Sequence, residues 1–391
     1  MKLKLKNGIL LTPYRKQYNQ IILIDEGKIS YLGPDLKTED YKEIDCQGYY
    51  ISPGFIDMHL HGGGGYDFMD AVPEAFVGAA KCHAEHGTTS ILCTCTAANN
   101  EHLGKVFEAF RQAKKMNSGG SNLLGLHLEG PYYSLENHGA IETQYLRDPS
   151  PDDYKEILSM TDDLKVWSEA PERPGSMEFG RYLEKNGILA AIGHSTATFE
   201  QVLEARENGF HHITHLYSCT SSVIRKNCFR IAGIVEAAYY CDDITVEMIS
   251  DGVHLPESLL RLICKLKGPD RIAPVSDCMR AAGMEDGDSI LGCKENGLKV
   301  IVKDHIAWLP DGSGFAGGTG TSDLLLHNLV HLAGLSVEDA VKSMSATPAR
   351  ILKLNRKGIL QQGYDADLTV FNSDLQIEMT IVNGQILYHR N

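Results

Sequence analysis

GFIDMHLHG at 54–62, TTSILCTCTA at 88–97, LLGLHLEGP at 123–131 and DLKVWSEAPE at 163–172 are short apolar runs of strand length. Four more follow: ILAAIGHSTA at 188–197, HHITHLYS at 211–218, ITVEMISDGVH at 244–254 and IAPVSDCM at 272–279. Near-continuous apolar character is what a strand buried on both faces carries. Helical intervals separate most of them, among them PEAFVGAAKCHAEHG, NEHLGKVFEAFRQAKKM, TFEQVLEARENG and PESLLRLICKLKG. Several open at Pro or Thr and stop at Gly, as helix start and stop signals do. Eight strand–helix units predict an α/β fold, a (β/α)8 TIM-type barrel. A doubly wound open sheet is the competing arrangement. It would want GxGxxG after an early strand, and the chain has none there. HGGGG at 61–65 lacks the Lys-Ser/Thr of a phosphate loop.

Outward from this run, both ends read differently. LKLKNGILLT, QIILIDEGKISYLG and EIDCQGYYISP precede it, and DADLTVFN and EMTIVNGQILYH follow. These are alternating or β-branched segments broken by Asn-Gly, Glu-Gly and Gly-Pro. They predict one small β-sandwich domain built from residues 1–53 and 352–391, around a barrel at 54–351. Residues 286–314 interrupt the last unit and read as a β-hairpin insertion.

Composition narrows the function. The 391 residues carry a net charge of −14, which makes the chain a poor binder of a nucleic-acid backbone. No apolar run approaches the ~18 residues of a membrane span, and MKLKLKNGILL is strand-like rather than a signal peptide. A cytoplasmic protein with no membrane partner is expected. The 10 cysteines include no CxxC and read as reduced thiols.

The 16 histidines are the unusual count. His59 and His61 lie near the end of the first run, Glu129 ends the third, and His194 the fifth. His215 ends the sixth, His254 the seventh, and Asp277 the eighth. In a barrel these ends meet on one face, where such folds build their sites. His59 and His61 are two apart, so they share a side of their strand. Imidazole and carboxylate donors suit zinc, iron or a similar divalent ion. Singly, each residue is equally at home as a packed or capping side chain; together they predict a metal site. His127 shares a face with Glu129 and is either support or packing. At most one of His211 and His212 points inward. Cys93 and Cys95 are soft ligands or small core residues, with core the better fit. His83, His86, His102, His327, His331 and His389 fall on helices or the tail and receive no role.

PGFIDMHLHG, HLEGP, GHS, THLYS, SDGVHLP and VSD, in that order, with TPARIL and GYDADLTVFN after them, resemble the amidohydrolase superfamily. More narrowly they resemble N-acetylglucosamine-6-phosphate deacetylases, along essentially the whole chain. The resemblance implies one metal ion held by Glu129, His194 and His215, and, as in the members that keep the pair, a second at His59 and His61 with Glu129 as bridge: one or two ions per subunit, zinc or iron. It implies a metal-activated water, with Asp277 as general base and then acid. Sugar contacts are implied at Ala140, Ile141, Ser218, Cys219, His254, Phe315, Ala316 and Gly317. A homodimer is implied too, with a cation reaching the neighbour's site.

The chain departs from the family at substrate positions. Ser218-Cys219 replaces Asn-Ala after THLY. Ile141 stands where His or Gln is usual, with His138 as a possible substitute. The phosphate-reading cation falls among Arg225, Lys226 and Arg230, and Arg280 adds a charge expected at the site mouth. The expected substrate is an amino sugar phosphate. Hydrolysis of another N-acyl or cyclic amide is the alternative. A catalytically silent scaffold is a further one, but such a barrel should have lost ligands that this chain keeps.

Overall fold

A computed structural model describes residues 2–117, 119–312 and 314–390. All eight apolar runs are strands: Phe55–Leu60, Thr88–Thr96, Asn122–Glu129, Leu164–Glu169, Leu189–Ile192, Phe210–Ile213, Thr245–Ile249 and Ile272–Val275. They pair in parallel and in chain order. The ends of the first and last strands close the ring. Asp277 N–H donates to the His59 carbonyl at 3.0 Å, and His61 N–H donates to the Cys278 carbonyl at 2.8 Å.

One layer of apolar side chains, including Met58, Leu92, Val166, Ala191, Ile249 and Val275, packs as a cluster of its own. Being drawn from six different barrel strands, it is the filled interior expected of such a barrel. A larger core lies between strands and helices and includes Phe76, Phe107, Phe110, Trp167 and Phe179. The helix Asn100–Met116 shows why these segments coil: Asn99 caps it by accepting from His102 N–H, and Leu103, Val106, Phe107 and Phe110 form its buried stripe. Thr198 and Gln201 make a capping box on Phe199–Glu207.

Both chain ends join one eight-stranded sheet. Tyr50–Pro53 is its seam, parallel to Leu3–Leu11 on one side and antiparallel to Leu368–Phe371 on the other. The sheet has its own core, with Leu3, Ile22, Ile24, Leu368, Val370 and Ile381. Asp367 ties it to the barrel by accepting from Asn122 at 3.1 Å.

Two segments differ from expectation. The insertion is a four-stranded antiparallel sheet, Gly287–Leu291, Leu298–Lys303, Ile306–Trp308 and Phe315–Gly318, rather than a hairpin. Its last strand, Phe-Ala-Gly-Gly, has three residues of poor strand propensity and is held by pairing with Ile306–Trp308. SSVIRKNCFR, for which no strand was predicted, forms a hairpin of Ile224–Lys226 and Phe229–Ile231. Its two turn residues, Asn227 and Cys228, both have positive φ, which matches the twist of paired strands. Among the described residues, no helix is long and apolar enough to cross a membrane.

Candidate active site

The barrel gathers His59, His61, Glu129, His194, His215 and Asp277 at the C-terminal ends of its strands, the first five buried and Asp277 partly exposed. Glu129 is the hub. Its Oε1 lies 3.0 Å from His194 Nε2 and 3.1 Å from His215 Nε2, and those two nitrogens are 3.1 Å apart. The Nδ1 of each ring is already committed. His194 Nδ1–H donates to the Asn137 carbonyl at 2.9 Å, and His215 Nδ1–H donates to the Ser218 carbonyl at 3.0 Å. Two imidazole lone pairs therefore converge with a carboxylate oxygen on one point. That arrangement is repulsive unless positive charge sits among them.

On the other side, His59 Nδ1 is 2.8 Å from Glu247 Oε2, and His59 Nε2 is buried with no hydrogen-bond partner. It lies 3.7 Å from Glu129 and 3.4 Å from Asp277. His61 Nε2 lies 3.0 Å from Asp277 Oδ1 and 3.5 Å from Glu129 Oε2. Donor atoms of His59, His61 and Glu129 fall within 4.8 Å of one another, as do those of Glu129, His194 and His215. Both trios have the nitrogen and oxygen donors that divalent ions take, so the residues fit a metal.

The electrostatics agree. Burial disfavours charge on His59, but Glu247, Asp277 and Glu129 outweigh it and push the imidazole up to about 10. Burial is likewise overcome at His194, by hydrogen bonding to Cys219 and Glu129, again to about 10. Burial would raise the Asp277 carboxyl, yet His59 and His61 hold it at about 2. The pocket floor thus favours added positive charge and keeps Asp277 ionised. His194, His215 and Asp277 also sit at positive φ (46°, 28° and 45°), backbone strain of the kind functional sites hold.

Above this floor opens a cavity of about 560 Å³. Of the expected contacts, Ala140, Ile141, Ser218, Cys219, His254, Phe315 and Gly317 line it. His254 is oriented by Asp251, whose Oδ2 lies 2.6 Å from Nδ1, and Phe315 meets its ring edge-on at 5.1 Å. The other expected residues stand off this wall. His138 is not on the wall, because its ring turns to the Ile141 carbonyl. Ala316 is buried in the core of the insertion. Arg225, Lys226 and Arg230 stand exposed on their hairpin and do not line this cavity. Arg280 is buried rather than at the mouth; it grips Asp70 at 3.0 Å and the Ile290 carbonyl, fastening the insertion down. His102, given no role above, lines the cavity.

Sequence reasoning also missed three buried carboxylates. Glu247 supports His59; Asp57 accepts from Ser276 and from His59 N–H; Asp251 holds His254. Each lies in or at the end of an otherwise apolar strand, and an unexplained charge there is the signal that could have found them. His127 proves to be support: its ring meets His59 edge-on at 4.7 Å, between Thr94 and Ser168. Of the pair beside it, His212 is the inward one.

Comparison with known proteins matches this geometry. The amidohydrolase family model covers residues 50–387. An N-acetylglucosamine-6-phosphate deacetylase of Lysinibacillus sphaericus is 31% identical over 392 residues, covering 100% of this chain and 99% of the relative. An N-acetylgalactosamine-6-phosphate deacetylase of Escherichia coli O157:H7 is 29% identical, covering 86% and 87%. The crystal structure of the N-acetylglucosamine-6-phosphate deacetylase from Pasteurella multocida superposes with a TM-score of 0.92 at 28% identity, over 100% of both chains. With the barrel, the two donor trios and relatives that match it end to end, the chain belongs to the amidohydrolase family of metal-dependent hydrolases, in its N-acetylglucosamine-6-phosphate deacetylase branch.

Proposed function

We propose that the chain hydrolyses N-acetylglucosamine 6-phosphate to glucosamine 6-phosphate and acetate. The observation that carries this reading is the ionised Asp277 set beside two metal-fitting trios at the base of a cavity sized for a small ligand. Glu129, His194 and His215 would hold one divalent ion, zinc or iron, and His59, His61 and Glu129 would hold a second. Such ions supply Lewis acidity, lowering the pKa of water toward neutrality and polarising the amide carbonyl.

The chain's own groups do the rest. Asp277 takes the proton of the attacking water and delivers one to the departing amine nitrogen. His254, its Nδ1 tied to Asp251, turns the other ring nitrogen to the substrate and orients it. Phe315 and Gly317 from the insertion, Ala140 and Ile141, and Ser218 with Cys219 enclose the sugar. Among the described residues lining the cavity none is Lys or Arg. The phosphate is therefore met by cations from outside this chain's own wall. Arg225, Lys226 and Arg230 are exposed on a hairpin that also exposes Val223, Ile224 and Phe229, the last at 76%. A homodimer in which this hairpin serves the neighbour's cavity accounts for both features.

The same lack of lining cations favours a second reading, an N-acyl amino compound without phosphate. Acetate release from N-acetylglucosamine 6-phosphate, N-acetylgalactosamine 6-phosphate, unphosphorylated N-acetylglucosamine and N-acetyl amino acids separates the two. The proposal expects the highest kcat/KM on the first. A preference for a neutral substrate would replace it with the second reading.

A further inference from the structure

We propose that Glu247 is the positioning residue that decides whether the His59–His61 side of the floor holds an ion. The inference rests on the metal reading of the floor, not on the choice of substrate.

Glu247 lies in the middle of the seventh barrel strand, with its side chain fully buried. It is the meeting point of three strands. Its Oε2 accepts from His59 Nδ1 at 2.8 Å and from His215 backbone N–H at 3.1 Å, while Oε1 faces His212 Nε2 at 3.4 Å. Because the carboxylate can only accept, the proton of His59 is placed on Nδ1 and the Nε2 lone pair is left facing the floor. That Nε2 is the buried atom with no hydrogen-bond partner, between Glu129 and Asp277. A carboxylate behind an imidazole fixes both ring orientation and basicity for a metal in front of it.

The two trios differ in what holds them. His194 and His215 are oriented by main-chain carbonyls, those of Asn137 and Ser218, which no side-chain change removes. His59 alone is oriented by a replaceable side chain. Loss of Glu247 should therefore empty one position and spare the other, whose His215 ring keeps its Ser218 contact. Gln at this position still presents an oxygen to His59 and His215, and its amide can face His212. It keeps the tautomer and loses the charge.

The test is zinc content by elemental analysis after dialysis against graded chelator. It is run on the full chain as wild type, Glu247→Gln and Glu247→Ala, with circular dichroism to confirm folding. The wild type should hold two ions and Glu247→Ala one. Glu247→Gln should hold two in excess zinc, with only the weaker one loosened, by about 10–100-fold. Two ions retained in Glu247→Ala, or fewer than two in the wild type, overturns the proposal. A wild type with no ion would break the metal reading as well. If Glu247→Ala does not fold, Glu247→Gln decides. Loosening of a single ion supports the assignment; equal loosening of both, or of neither, contradicts it.

Discussion

The floor of the cavity and its wall are built on opposite principles. The floor comes from strand ends: six side chains from the first, third, fifth, sixth and eighth barrel strands, locked by backbone hydrogen bonds and by left-handed backbone at three positions. The wall comes from segments with no barrel periodicity, the 139–145 turn and the four-stranded insertion, and it is largely apolar. The floor carries net demand for positive charge, whereas the wall offers no lysine or arginine among its described residues. Reaction type therefore belongs to the barrel, and substrate identity to what was added around it. Substitutions on the two sides should fail differently.

The largest effect is expected at the hub. Glu129 serves both trios, so Glu129→Ala should lose both ions and, with them, turnover; elemental analysis with an acetate assay checks this. Asp277→Asn should keep its metal and lower kcat by about 10²–10⁴-fold, the size of a general acid–base contribution. Substitutions outside the floor should spare kcat. Arg225→Ala, Lys226→Ala or Arg230→Ala should raise KM about 10–100-fold for a phosphorylated sugar only, as loss of a charge-assisted hydrogen bond does. If none of the three does so, the hairpin is not the phosphate anchor. Phe315→Ala should raise KM about 2–10-fold through lost ring contact, with kcat nearly unchanged.

The smallest effect concerns a support beneath the floor. His83 Nε2–H donates to the Gly62 carbonyl at 2.9 Å, next to His61. Burial pushes its imidazole down to about 4. The unfolded chain takes up this proton near pH ~6.5, the folded chain only near 4. Between those values the unfolded state binds more protons, so stability falls as pH is lowered through that window. Denaturant titrations at pH 7 and 5 should show a smaller loss for His83→Gln than for the wild type.

The floor was legible because barrel strands are near-continuous apolar runs, and a polar residue ending one stands out. His59, Glu129, His194, His215 and Asp277 are each such a residue. The rule has a limit at Glu169, which ends the fourth strand but turns to Ser176 on the outer helix, where burial drives its carboxyl well up. Glu247 and Asp57 stayed hidden because they are embedded within strands, where their histidine and serine partners become adjacent only when the barrel closes. The wall was least legible. The Phe315–Gly318 strand exists through pairing rather than propensity, and Arg280 gained its carboxylate partner, Asp70, from 210 residues away. His102 lies on a helix face whose place at the cavity rim depends on where that helix begins in the fold.

The most direct test of the account is single-turnover acetate release from N-acetylglucosamine 6-phosphate, by the wild type and by Asp277→Asn at matched zinc content. The wild type should release acetate rapidly, and the variant should be about 10²–10⁴-fold slower at equal metal. Equal rates in the two proteins would contradict it.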